Sequence, residues 1–310
     1  MMRIEIKTYS PESSLPGHIV KRGSGLWIEE EIIAEGSAGP YDVLWDFGES
    51  LAGTRNVVPP QERFRENTEN VIFLGLTDER IKNFLEANTR LVNKPEANPD
   101  DPEQRFVYQQ NLAEVYRILV GKTLGFAGTN AVLFPPKRGG ELVAKFFELY
   151  GNFPSEKIAD YVLKRIVLKN GAILAGVREI NFWPEIEPGT TIIFGDDCLA
   201  SFISAAATLD LARRKTEEQP FRLAACVSTA TQRGVEWLLR AAADFGYQEI
   251  RFFGGLPVFG MTEEYYLLRL PDEGFPPNTY AVGDMGLWTR ALPEKFNRKA
   301  PWNIGRKSES

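Results

Sequence analysis

The stretch Thr191-Ile192-Ile193-Phe194-Gly195-Asp196-Asp197-Cys198-Leu199-Ala200-Ser201 decides how this chain reads. It opens as an unbroken apolar run, the pattern of a strand buried on both faces of a parallel sheet. Gly195 then leads into two adjacent acids. A turn of small residues, Cys198 to Ser201, opens a helix predicted from about Ala200 to Arg214. Carboxylates side by side at the end of an apolar strand repel each other. They are tolerated when they accept hydrogen bonds from hydroxyls or face a cation. The helix start behind them offers free N–H groups and the positive end of its dipole, which suit a phosphate. One loop can therefore grip a ribose 5-phosphate at both ends, acids on the ring hydroxyls and amides on the phosphate. The plainer alternative is that Asp196 and Asp197 cap the helix.

Outward from this stretch the same alternation continues. Ala131 to Phe134 is a short apolar run that ends at a turn, and residues Gly140 to Tyr150 read as a helix. Leu223 to Val227 precedes a helix with Val235, Leu238, Leu239 and Ala242 on one face, and Ile250 to Phe253 forms a further strand. Strands alternating with helices predict a parallel sheet covered on both faces, with ligands held beyond the carboxyl ends of its strands. The loops after Phe134, Phe194, Val227 and Phe253 are thus expected around one site. Upstream, Asn70 to Leu74 leads into a polar helix over 77–91. Leu112, Val115, Tyr116, Leu119 and Val120 mark one face of a helix over 103–120. Gly121-Lys122-Thr123 resembles the end of a Walker A loop. The earlier glycine of that motif would fall at Tyr116, inside the helix, so no cradle of amides can form. A helix end with Gly121 near the cap is the simpler reading.

Residues 1–65 read as a β-rich arm or cap, with strands at Arg3 to Lys7, Leu26 to Ile28 and Glu31 to Ile33, closed near Val57 to Pro60. Residues 66–293 make the α/β domain, and 294–310 a polar, basic tail expected to be loosely held.

Composition narrows the chemistry. The chain has 310 residues, 43% hydrophobic and 25% charged, with a formal net charge of -6. That balance argues against a nucleic-acid binder, which usually shows a basic face. The cysteines, Cys198 and Cys226, lack metal spacing and read as reduced thiols. The single histidine, His18, makes His-based metal or triad chemistry a poor fit. The start lacks a leader pattern and no apolar run reaches the ~18 residues of a membrane span. A soluble cytoplasmic protein, with no membrane and no nucleic-acid partner, is the expectation.

With the acids and their turn in view, a family resemblance emerges. The segment Asp196 to Ala205 resembles the phosphoribosyl-pyrophosphate (PRPP) loop of type I phosphoribosyltransferases, most of all uracil phosphoribosyltransferases, where Leu-Ala-Thr-Gly-Gly-Ser-Ala follows the acids. Leu133 to Gly140, reading Leu-Phe-Pro-Pro-Lys-Arg-Gly-Gly, is similar to the family's pyrophosphate loop. Ala225 to Ser228 with Gly234-Val235-Glu236 is similar to the strand and helix after the phosphate loop. Tyr280-Ala281-Val282-Gly283-Asp284-Met285-Gly286 looks like a shortened uracil-reading segment. The resemblance spans roughly residues 70 to 290.

The resemblance implies an α/β fold with a parallel Rossmann-like sheet and a small N-terminal β-rich arm. It implies an enzyme that moves phosphoribosyl from PRPP to a pyrimidine or other small acceptor, with Mg²⁺ and release of pyrophosphate, working as a homodimer. Asp196 and Asp197 would hold the ribose hydroxyls. Leu199, Ala200, Ser201, Phe202, Ile203 and Ser204 would hold the 5-phosphate. Arg138, with Lys137 and Gly139, would face pyrophosphate. Tyr280, Val282, Gly283 and Asp284 would lie at the base, with Asp284 near the Mg²⁺-pyrophosphate. Lys164 and Arg165 would open a mobile loop over Lys169 to Arg178; otherwise they form a solvated face. Two departures stand out. Phe202 and Ile203 replace glycines that let the family's backbone take positive φ, and Leu287-Trp288 replace an Asp-Arg pair. A decayed phosphate grip is how a non-catalytic nucleotide-binding or regulatory protein would arise on the same fold, and that alternative stands beside the enzyme.

Overall fold

The computed structural model describes residues 6–29, 39–47, 70–92, 94–137, 139–169, 172–200, 202–214, 222–255, 260–261, 267–268, 285–297 and 299–300. Along the chain run β1 (Lys7–Tyr9), β2 (Ile19–Arg22), β3 (Gly25–Ile28), β4 (Val43–Asp46), β5 (Val71–Phe73), α1 (Glu79–Val92), α2 (Pro102–Ala127), β6 (Ala131–Phe134) and α3 (Gly139–Gly151). Then follow β7 (Asp160–Val167), β8 (Ile173–Phe182), β9 (Thr191–Leu199), α4 (Ile203–Arg214), β10 (Arg222–Ala230), α5 (Gln232–Asp244), β11 (Glu249–Gly254), α6 (Met285–Trp288) and α7 (Glu294–Asn297).

Five parallel strands make the central sheet, in the order β5-β11-β10-β9-β6. One row of the register crosses it: Phe134 opposite Phe194, Phe194 opposite Ala225, Ala225 opposite Phe252, Phe252 opposite Val71. The carboxyl ends therefore share one edge, as the apolar runs predicted. Side chains alternate between two cores because successive residues of a strand face opposite ways. Leu133, Ile193, Ala224, Cys226 and Phe253 pack with α1, α2 and α3. Val132, Phe134, Ile192, Phe194, Ala225 and Phe252 pack with α4, α5 and a second sheet.

Helix α2 is longer than its apolar face predicted. Asp101 caps its start by accepting from the Glu103 N–H at 2.8 Å, with Pro102 at the first position. It runs through Gly121 and stops at Gly128, whose φ of 74° only glycine takes cheaply. Gly121-Lys122-Thr123 is thus helix interior, neither phosphate loop nor cap.

The second sheet is antiparallel, β1-β4-β8-β7, and corrects one expectation. Ile173 to Arg178, assigned to a mobile loop, belongs to β8, the partner of both β7 and β4. Ile173, Leu174, Ala175 and Val177 are fully buried. Their apolar side chains serve two cores, and strands from residues 7–46 widen the hairpin into a four-stranded sheet that fixes it. Arg3 to Glu5, Glu31 to Ile33 and Val57 to Pro60 lie outside the described residues. At the other end, residues 294–297 are helical. Phe296 lies 5.7 Å from Phe106 of α2, and Ala300 is buried, so this part of the expected loose tail is held.

Beyond the pairing of β4 with β8, a buried side-chain contact ties the amino-terminal strands to α4. Trp45 Nε1 donates to Asp210 Oδ2 at 2.8 Å. Asp210 also takes Arg214 at 2.6 Å and Arg213 at 3.2 Å. Its side chain is 3% exposed, so truncation strands two partly buried guanidiniums and an indole N–H. Asp210→Ala should cost about 2–3 kcal/mol in urea unfolding, the low side of a buried pair because both arginines reach solvent. Trp45→Phe should cost less, the loss of one charge-assisted bond, roughly 1.5 kcal/mol plus a small packing deficit.

Candidate functional site

Strand β9 does not stop at the acids. It runs on to Leu199 because β10 continues beside it, Thr229 opposite Cys198 and Ala230 opposite Leu199. The turn consequently falls between Leu199 and Ile203, later than the sequence suggested. Ser201 lies outside the described residues.

Side chains from three neighbouring segments hold this strand end. Tyr116 of α2 donates its hydroxyl to the Asp196 carbonyl. Ser228 of β10 donates to the Asp197 carbonyl at 2.5 Å. Thr231, which caps α5, donates its hydroxyl to the Ala200 carbonyl at 2.7 Å and its N–H to the Leu199 carbonyl at 3.0 Å. Thr289 donates to Asp197 Oδ2 at 3.1 Å. Two glycines allow the close approach. A Cβ on Gly234 would sit 2.6 Å from the Leu199 carbonyl oxygen, and one on Gly140 2.8 Å from that of Gly195. The second contact seats the first turn of α3 against the residue before the acids.

The carboxyls themselves are strained electrostatically. Asp197 is only 5% exposed and Asp196 is half-buried. Burial first, and then the charge of Asp197, pushes the Asp196 carboxyl well above the usual carboxylate range. A side-chain hydrogen bond with Asp197 adds to the push, and the Asp197 N–H, 2.9 Å from Asp196 Oδ1, opposes it. Two carboxyls in contact cannot both ionise cheaply. A ligand hydroxyl or a cation at this edge would relieve the pair.

Phe202 resolves the glycine problem in an unexpected way. Its φ is 59°, so the left-handed turn is kept although a phenylalanine occupies it. The ring is 2% exposed and meets Trp237 at 5.0 Å and Phe47 at 5.9 Å, both edge-on. It points into the core and not across the strand end. Behind it α4 begins at Ile203, which is buried, and Ser204, which is half-buried. The first helical bond is Ala206 N–H to the Phe202 carbonyl, 2.8 Å, so the N–H groups of residues 203–205 precede the ladder.

The remaining expected residues are placed less favourably. Lys137 pairs with Asp160 at 2.7 Å, and Gly139 is the first residue of α3. Lys164 and Arg165 lie within β7, opposite Gly176 and Ala175, and open no loop. Arg138, Tyr280, Val282, Gly283 and Asp284 lie outside the described residues. Among the described residues no group of three or more His, Cys, Asp and Glu side chains could hold a metal, and no helix is long and apolar enough to cross a membrane. Tyr116, Ser228, Thr231 and Thr289 were missed. Their only sequence signal was a hydroxyl within or beside an apolar run.

No family model matches the chain, and no curated protein does. Solved structures with some likeness include phosphoribosyltransferases. Adenine phosphoribosyl transferase from Trypanosoma brucei, in complex with AMP, pyrophosphate and ribose-5-phosphate, is 14% identical with a TM-score of 0.41, covering 76% of this chain and 97% of that one. The Helicobacter pylori xanthine-guanine-hypoxanthine enzyme is 18% identical with a TM-score of 0.32, covering 48% and 84%. A hypothetical protein from Neisseria gonorrhoeae with bound ppGpp is 15% identical with a TM-score of 0.34, covering 48% and 80%. At these scores the likeness adds nothing to what the strand order and the β9 turn carry by themselves.

Two outcomes follow from this geometry. The folded chain holds the Asp196 proton to higher pH than the unfolded chain does. Folding therefore loses stability as pH rises from the unfolded carboxyl value, about 4, toward the folded one. Asp196→Asn keeps the acceptor for the Asp197 N–H and cannot ionise. Near pH 7 it should melt above wild type, with the difference shrinking as pH falls toward about 4. Phe202→Gly relieves a left-handed backbone worth about 1 kcal/mol but deletes a buried ring worth about 3–5 kcal/mol, so it should destabilise by a net 2–4 kcal/mol in chemical unfolding.

Proposed function

We propose that the chain binds PRPP at the end of β9 and transfers its phosphoribosyl group to a small acceptor, with release of pyrophosphate. The carrying observation is the juxtaposition at one sheet edge of a pressed carboxyl pair, a left-handed turn and the start of α4, whose N–H groups at 203–205 precede its ladder. Asp196 and Asp197 would accept from the ribose hydroxyls. Burial already weakens the case for a free carboxylate at Asp196, and a pair of donated hydroxyl bonds restores it. The N–H groups at 203–205 and the Ser204 hydroxyl would take the 5-phosphate. The loop between β6 and α3, which Gly140 seats against Gly195, would face the pyrophosphate with Arg138 and Lys137.

In the reaction an acceptor nucleophile attacks the anomeric carbon while the bond from that carbon to the pyrophosphate oxygen breaks. The bonding pair leaves with pyrophosphate, and positive charge builds on the ring in between. Holding the ring by its hydroxyls fixes the anomeric carbon between acceptor and leaving group. Little proton transfer is required, which accords with a single histidine at position 18. A Mg²⁺ ion, when bound, would neutralise charge on the leaving pyrophosphate, with Asp284 as an oxygen donor to it. Uracil is the acceptor of choice on the motif likeness, ahead of other pyrimidines.

A second reading, a non-catalytic binding protein on this fold, is favoured by one observation. Asp197 is nearly closed from solvent and already satisfied by Thr289. The two readings part in one experiment. Calorimetric titration with PRPP and Mg²⁺ should show binding by wild type and a loss of at least about tenfold in Asp196→Asn, a charge-assisted bond to each hydroxyl being worth about 1.5 kcal/mol or more. A pyrophosphate-release assay with uracil and other small nucleophiles should then show turnover. Binding without turnover for any acceptor selects the second reading, and no binding at millimolar PRPP contradicts the transferase.

A further inference from the structure

The segment that follows the undescribed residues 269–284 lies directly on the candidate site. Gln109 of α2, buried, donates through Nε2 to the Trp288 carbonyl at 3.0 Å and the Arg290 carbonyl at 2.8 Å. Between those two clamps Thr289 is 6% exposed and gives its hydroxyl to Asp197 Oδ2 at 3.1 Å. The Trp288 ring tilts over Tyr108, centroids 5.5 Å apart. Tyr108 is fully buried, its hydroxyl has no hydrogen-bond partner among the described residues, and burial first, then the charge of Asp197, pushes its titration well up. Beside Thr289 is a cavity of about 50 Å³, lined also by Gln109, Leu142, Lys145 and Leu292.

We infer that Trp288 to Arg290 forms a strap whose Thr289 hydroxyl occupies the hydroxyl-binding carboxylate Asp197 while the site is empty, and that a ligand carrying a vicinal diol displaces it. This rests on the proposed sugar-phosphate site. An alcohol of a threonine and a hydroxyl of a ribose make the same bond to a carboxylate, and Asp197, only 5% exposed, has little open surface for a second donor while Thr289 lies on it. The cavity gives Thr289 somewhere to turn. The orphaned Tyr108 hydroxyl shows that the closed arrangement leaves a buried donor unmet, which lowers the cost of opening. The consequence is selectivity. A ligand that offers only a phosphate leaves the strap in place, whereas a diol must displace Thr289 to reach both acids. Thr289 is thus a residue that sets which sugar phosphates bind, acting by competition.

The test compares wild type, Thr289→Val and Thr289→Ser by calorimetry with ribose 5-phosphate and, separately, inorganic phosphate, after thermal melts confirm cooperative folding. Valine keeps the shape and removes the competing hydroxyl. Thr289→Val should bind ribose 5-phosphate roughly five- to tenfold more tightly, the worth of one such bond, with its affinity for inorganic phosphate unchanged. Thr289→Ser should match wild type. Ribose 5-phosphate binding by wild type with no gain in Thr289→Val, or an equal gain for both ligands, overturns the strap and leaves the sugar-phosphate site standing. No ribose 5-phosphate binding by wild type or by either variant removes the site and the strap together. If a valine variant fails to melt cooperatively, Gln109→Leu, which frees the strap at its clamps, should give the same selective gain, and its failure to do so overturns the proposal.

Discussion

Two carboxyls on consecutive residues, at the closed end of a buried strand, impose a cost that the surrounding structure is organised to bear. Burial strips from Asp196 the water that would solvate its charge, and the charge of Asp197 beside it adds to the cost of ionising it. Everything nearby fixes the backbone that presents them. Tyr116 and Ser228 hold the two carbonyls, Thr231 the two that follow, and Gly140 and Gly234 let α3 and α5 come close enough to matter. None of these contacts relieves the charge itself. A fold that retains an electrostatic cost and rigidly supports it is the pattern of exchanging stability for function on which the proposed ligand site rests.

The turn after the acids illustrates how such a site tolerates an unusual sequence. A glycine would take the left-handed conformation without strain, but Phe202 takes it and recovers the cost through Phe47 and Trp237. The residues that pay this back come from β4's end and from α5, so the amino-terminal strands belong energetically to the site. The bond from Trp45 to Asp210 has the same effect one layer further out. The segment read from the sequence as a β-rich arm or cap contributes two strands, β1 and β4, to the hairpin sheet and aromatic rings to the core beneath the turn.

The parallel sheet was legible because its strands are fully buried and so read as plain apolar runs. β6 matched its run to the residue, and β9, β10 and β11 differed only in length. β7 and β8 were not recognised, since they alternate irregularly and their register is broken by bulges near Asp160 and Val162. Their charged residues, Lys164, Arg165 and Arg178, resembled a loop. The acids were legible from their position after Phe194. Their wardens were not, because a threonine or tyrosine becomes a site residue only through contacts made across 31 to 92 positions of sequence. Thr289 is the extreme case, brought onto Asp197 by a segment with no motif of its own.

The measurement that bears most directly on the pressed pair is the melting temperature of wild type and Asp196→Asn, each with and without PRPP and Mg²⁺ near pH 7. If the pair is held for a ribose, the variant melts higher than wild type when both are empty, and ligand raises wild type by clearly more than it raises the variant. If ligand raises both equally, or the empty variant melts below wild type, the carboxyl pair is a structural cap and the account built on it fails.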